Sequence, residues 1–145
     1  MVLYLDLHGH SRKKNIFMYG NNYSEQPHKT RLFPYLLSKL CDYFSFEDCR
    51  FSNQLCKEST ARVAMWRELN IPNVFTMESS FCGADRGELC NKEFGTQDLI
   101  LAGEKVLLCL LVYFKIDFGP QIQNFTAKNR ALLERHVAQR SERRS

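Results

Sequence analysis

The first stretch of the chain, MVLYLDLHG, places the strongest constraint on its fold. It is aliphatic almost throughout and closes on Gly9, so it predicts a buried strand of the kind found in parallel sheets. Such a strand looks central and needs neighbours on both sides. The rest of the sequence offers few. NIFMYG predicts a short second strand ending at Gly20, and PNVFTMESSFCG a further one ending at Gly83. RLFPYLLSKLCDYF has near-helical apolar spacing, and Pro34 suits only a first helical turn. ESTARVAMWRELNI predicts a helix capped by Ser59 or Thr60, with Val63, Trp66, Arg67 and Ile71 tracing a face. TQDLILAGEKVLLCLLVYF predicts the longest helix, capped by Thr96 or Asp98, and TAKNRALLERHVAQR a final polar one. FSFEDCRFSNQLCK is ambiguous, with aromatics at alternating positions. Strands alternating with helices imply an α/β layer with helices packed on a sheet. With so few strands, the sequence reads as part of a domain.

Composition narrows the class. Hydrophobic residues make up 44% and charged residues 25% of 145 positions, which excludes disorder for most of the chain. The net charge of +4 is concentrated in SRKK and in the tail AQRSERRS. No aromatic residues interleave with those cations, so a nucleic-acid partner is not expected. The longest apolar run, Val106 to Phe114, is about half of the ~20 residues a bilayer requires, so no membrane span is expected. It reads as a buried helix end. The six cysteines lack the close pairs of structural zinc sites, and Met1 leads directly into strand-like sequence with no secretory leader. Reduced thiols in a cytoplasmic protein are the expectation.

Three short constellations carry possible chemistry. In DLHGHS, side chains alternate faces along a strand, so Asp6, His8 and His10 project the same way. Imidazole is a common zinc ligand, and strand ends in α/β sheets are where ligands bind. A histidine simply satisfied at a strand end is the plainer reading of His8 from these residues alone. In FTMESSFCG, Glu78 interrupts an apolar strand. Burying an unpaired carboxylate is costly, so Glu78 is paired with a cation, poised as a general base, or at an edge facing water. In KESTARVAMWRE, Arg62 lies near a helix start, where a guanidinium fork suits a carboxylate and a surface ion pair is the plainer reading.

Taken in order, DLHGHSRKKNIFMYG, ESTARVAMWRE and FTMESSFCG, followed by a long helix, resemble the C-terminal half of a cytosolic carboxypeptidase. This is the subfamily of zinc metallocarboxypeptidases that trims glutamate from tubulin tails and other acidic C-termini. The resemblance spans roughly residues 2 to 117. It implies a mixed sheet flanked by helices, with residues 1–118 as the incomplete C-terminal half of the catalytic domain and 119–145 as a terminal helix and basic tail. It also implies Zn2+ as cofactor, His8 as the last zinc ligand, and Glu78 as the glutamate that activates the zinc-bound water. Arg62 falls at the floor of the specificity pocket and implies selection for a glutamate side chain. His10 and Ser11 fall beside the zinc ligand, at the adjacent substrate subsite. The SRKK cluster would attract a polyanionic chain.

The sequence departs from that pattern in one respect. The first two ligands of the family come from an upstream H-x-x-E, and no histidine here is followed three residues later by glutamate. One histidine does not build a tight zinc site, so this chain alone is expected to be inactive. Two readings of other classes stand beside the enzyme. One is a non-catalytic module that recognises acidic tails through Arg62 and the lysines. The other is a small α/β domain with its own metal site at Asp6, His8 and His10.

Overall fold

The computed structural model describes residues 3–23, 25–52 and 60–114. Cys56, the expected terminal helix and the basic tail lie outside them. Seven main elements follow in the order β1 (Tyr4–His10), β2 (Ile16–Gly20), α1 (Pro27–Leu40), β3 (Arg50–Phe51), α2 (Ala61–Leu69), β4 (Val74–Ser80) and α3 (Thr96–Tyr113). The sheet order is β1-β4-β2-β3. β1 runs parallel to β4, β4 antiparallel to β2, and β2 parallel to β3. The fold is therefore α/β with a mixed four-stranded sheet and helices packed on it.

β1 is an edge strand among the described residues, paired with β4 alone. The central positions belong to β4 and β2, whose Val74, Phe75, Ile16, Phe17 and Met18 are fully buried. Their short, continuous apolar runs suit a strand covered on both faces. The core joins them to Leu32, Phe33, Leu36 and Leu37 of α1 and to Ala102, Val106, Cys109 and Val112 of α3. Phe33 stacks on Phe75 with ring centroids 5.8 Å apart and the planes 18° from parallel.

Four local expectations change. α1 begins at Pro27, so Pro34 sits inside the helix rather than in its first turn. Proline there lacks the N–H that would bond the Thr30 carbonyl. Its side chain is buried in the core face, where packing outweighs the lost bond. α3 is capped by Gly95, not by Thr96; the Asp98 carboxylate accepts the Gly95 N–H at 2.8 Å. The Val106–Phe114 run is buried on one side only, since Leu107 is 64% exposed. In α2 the buried residues are Arg62 and Val63, while Arg67 is exposed.

The connection from β1 to β2 is tied to the loop after β4. Asn15 takes a positive φ of 70°. Its N–H donates to the Gly83 carbonyl at 2.8 Å, and its side chain exchanges two hydrogen bonds with Asp85, at 2.7 and 3.0 Å. Gly83 itself has φ +75°, and a Cβ there would stand 1.8 Å from the Lys92 carbonyl oxygen. That oxygen is backbone and cannot swing away. Gly83→Ala is expected to lower unfolding stability by at least ~2 kcal/mol in chemical denaturation, through strain at this φ and displacement of the loop. A change below a few tenths would contradict the assigned turn.

Among the described residues all five cysteines are free. Cys41, Cys49 and Cys109 are buried, and Cys82 and Cys90 are exposed. Burial pushes the Cys41 thiol from its ordinary 9.0 to about 11 and the Cys49 thiol to about 12, and raises Cys109 as well. Because the folded values are raised, the stability from keeping these thiols neutral is complete below pH 9. It is lost as pH climbs from 9 toward 12, since the unfolded chain ionises first. At pH 8 a thiol alkylating reagent should modify Cys82 and Cys90 quickly and spare the buried three, as read by peptide mass mapping. Rapid modification of Cys49 in the folded chain would refute the packing.

Candidate active site

β1 and β4 are parallel and in register from Tyr4↔Val74 to His10↔Ser80, so His8 stands opposite Glu78. Side chains directly opposite in a sheet share a face, one strand spacing of about 4.8 Å apart. The shared face carries Asp6, His8 and His10 from β1 with Thr76, Glu78 and Ser80 from β4. β2 adds Phe17 opposite Glu78 and Tyr19 opposite Thr76. His8 and Glu78 lie near the carboxyl ends of two parallel strands, the end of an α/β sheet at which ligands bind.

The side chains sort into two pairs. His8 Nε2 lies 2.9 Å from Asp6 Oδ2, and its side chain is 50% exposed. His10 turns the other way. Its Nδ1 is 3.8 Å from Glu78 Oε2, and its ring meets Phe17 edge-on with centroids 5.0 Å apart. His10 Nε2 is buried with no hydrogen-bond partner. Glu78 is buried on an otherwise apolar strand. Ser11 follows β1 directly and is exposed. The proposed trio of Asp6, His8 and His10 therefore does not converge as one cluster, because His10 faces Glu78.

Arg62 is placed elsewhere. It is buried, and its Nη1 donates to the Gly20 carbonyl at 2.8 Å and to Asn21 Oδ1. Asn21 Nδ2 returns a bond to the Arg62 carbonyl at 3.2 Å. Gly20 ends β2, three residues beyond Phe17, the residue opposite Glu78. Burial lowers the Arg62 pKa from its ordinary value.

Of the cations after β1, Lys13 is committed. Its Nζ is 3.4 Å from Asp48 Oδ1 and 5.0 Å from the Phe17 ring centroid. Arg12 and Lys14 are exposed. Tyr19 is a site residue that sequence reasoning passed over. Burial raises its phenol pKa, and the Glu78 charge raises it further. The alternation in IFMYG, which puts Phe17 and Tyr19 on one face, was the available signal.

Catalytic zinc takes three protein ligands with one open position. Among the described residues no group of three His, Cys, Asp or Glu side chains could hold one. His8 with Asp6 offers an incomplete set, so these residues do not by themselves fit a catalytic zinc site.

No family model matches the chain. It is 47% identical over 118 residues, 78% of its length, to cytosolic carboxypeptidase 3 of Bos taurus. It is 42% identical over 145 residues, 95% of its length, to cytosolic carboxypeptidase 3 of Mus musculus. Against cytosolic carboxypeptidase 2 of Homo sapiens it is 46% identical over 114 residues, 77% of its length. By sequence, the chain belongs with the cytosolic carboxypeptidases. It spans 12–14% of the length of these relatives. Relatives of this kind bear a name that describes a peptidase acting at C-termini in the cytosol. Among the described residues no helix is long and apolar enough to cross a membrane.

Arg62→Met tests the placement of the arginine. It leaves the Gly20 carbonyl and Asn21 without their donor, and unpaired buried groups cost about 1–3 kcal/mol. A denaturation midpoint unchanged from wild type would mean that the guanidinium is not held there.

Proposed function

We propose that this chain supplies part of the catalytic centre of a zinc metallocarboxypeptidase that removes C-terminal glutamates from acidic protein tails, polyglutamylated tubulin among them. The observation that supports it most is the register that sets His8 beside Glu78 at the carboxyl end of β1 and β4, with Glu78 buried. In this reading His8 is one donor of a site whose remaining donors lie outside the chain, Glu78 is the general base, and His10 and Ser11 border the substrate. A base held in a dry site 3.8 Å from an imidazole has the surroundings that general-base work uses. Arg12 and Lys14, exposed beside the site, suit an acidic peptide. Arg62 contributes the positive charge of the specificity pocket in this reading. The reading sets the protein in the cytoplasm, with acidic C-termini as its partners and residues 119–145 as an accessory tail.

A chimera tests it, with this chain replacing the matching segment of the bovine relative. The chimera should release glutamate from a polyglutamylated peptide, and Glu78→Gln should reduce kcat by about 10²–10⁴, the usual contribution of a general base. The 145-residue chain alone should release none. A chimera that binds the peptide without hydrolysing it, and that Glu78→Gln leaves unchanged, would replace the enzyme reading with the non-catalytic acidic-tail module.

A further inference from the structure

Among the described residues the sheet ends at β1 on one side and at β3 on the other. His8, His10 and Glu78 lie toward β1, and the register carries their face across to β3. Asp6 pairs with Thr76, Thr76 with Tyr19, and Tyr19 with Arg50. Direct partners project to one face of a sheet, so Arg50 shares the face of Tyr19, Thr76 and Glu78. The neighbouring row agrees with this assignment. A Cβ on Gly20 would meet the Phe51 and Phe75 rings at 2.7 and 3.2 Å, which places those three residues on the opposite face. Arg50 is two strand spacings from β4, roughly 10 Å. An arginine and a glutamate side chain can close that gap between them.

The cations near this face differ in their commitments. Lys13 pairs with Asp48, and the Arg62 Nη1 is held by the Gly20 carbonyl and Asn21. Arg50 is exposed, and its Nη1 donates to the Glu47 and Cys49 carbonyls at 2.7 and 3.0 Å. Two neutral acceptors on one nitrogen orient the guanidinium and leave its charge uncancelled. Tyr19 lies on β2, between Arg50 on β3 and Glu78 on β4. Its ring meets Phe17 edge-on with centroids 5.5 Å apart. After burial, the charges acting on its phenol are those of Glu78, Arg50, Asp48 and Arg12, and the net effect raises its pKa. The hydroxyl is therefore a neutral donor at physiological pH. We propose that Arg50 and Tyr19 form a selectivity pair that takes the side-chain carboxylate of a peptide residue bound beside Glu78, the guanidinium supplying charge and the phenol a hydrogen bond. That the ligand is an acidic residue at a C-terminus rests on the proposed function; the pairing of cation and hydroxyl on this face does not. An arginine on an edge strand also guards that edge against pairing. Such a role is indifferent to the Tyr19 hydroxyl and to the charge of a peptide.

The test uses the chimera with the bovine relative and two fluorescently labelled peptides that differ only in their last residue, glutamate in one and glutamine in the other. Affinity is read by fluorescence anisotropy, with a chelator present so that no peptide is consumed. The chimera should prefer the glutamate peptide. Arg50→Gln should cut the ratio of the two affinities by about tenfold or more, the effect of one lost hydrogen bond to a charged group. Arg50→Lys, which keeps the charge and loses the fork, should cut it less. Tyr19→Phe, which keeps the ring against Phe17, should cut it by about threefold to tenfold. Because both peptides meet the same sample, any loss of folded protein cancels from the ratio. A ratio unchanged by Arg50→Gln or by Tyr19→Phe overturns the selectivity pair. Glutamate release is read separately, without chelator. A chimera that binds with the expected preference and releases none refutes the proposed function and leaves the pair standing, whereas one that releases glutamate with a preference over glutamine that Arg50→Gln does not alter refutes the pair alone.

Discussion

The register between β1 and β4 is the constraint on which the site depends. With a side-chain period of two, a slip of one residue would send Glu78 to the face of Leu5 and Leu7 and bring Met77 beside His8. Packing forbids that slip. Phe75 and Met77 are locked into the core beside Phe33 and Val106, so the odd positions of β4 cannot leave the helix-covered face. Buried hydrocarbon on one face of β4 thus fixes the position of a carboxylate on the other. The turn through Asn15 and the loop at Gly83 to Asp85 hold the end of the same strand pair from the other direction.

Much of this was legible in the sequence. β2, β4, α2 and α3 carry clear periodicity or apolar runs, and their observed bounds lie within a few residues of those expected. The proximity of His8 to Glu78 was legible only through family resemblance, because pairing between residues seventy positions apart leaves no trace in local pattern. α1 was misjudged at its start because Pro34 was weighed by local preference, whereas burial in the core overrides the loss of one hydrogen bond. The composition of β1 is that of a covered, central strand, yet among the described residues it stands at an edge. Composition reports the environment a strand is suited to, and the strands described here do not supply that environment on both sides.

Arg62 shows the limit of reading charge from sequence. A cation near a helix start suggested an anion, but its partners are a backbone carbonyl and an amide oxygen. Those bonds join the start of α2 to the end of β2, so the guanidinium has a structural task whatever ligand it meets. Oxygen acceptors of this kind offset desolvation without cancelling the charge of the guanidinium. Lys13 differs, since Asp48 3.4 Å away offsets much of its field.

Stability alone gives no reason for Glu78. The strand around it is apolar, its cross-strand neighbour Phe17 is fully buried, and the cation it meets among the described residues is a histidine at 3.8 Å. An ion pair that depends on a protonated imidazole and lies beyond hydrogen-bond length repays little of the desolvation of a carboxylate. Val or Thr at this position would pack on Phe17 and satisfy strand preference better. His10 Nε2, buried without a partner, repeats the pattern one residue pair further along the same face. A weakly paired carboxylate and an unpartnered imidazole nitrogen, on the face that also carries His8, are a local departure from the consistency of the remaining core. Departures of that kind concentrate where a fold serves chemistry, and here they fall on the face that the register of β1 and β4 presents.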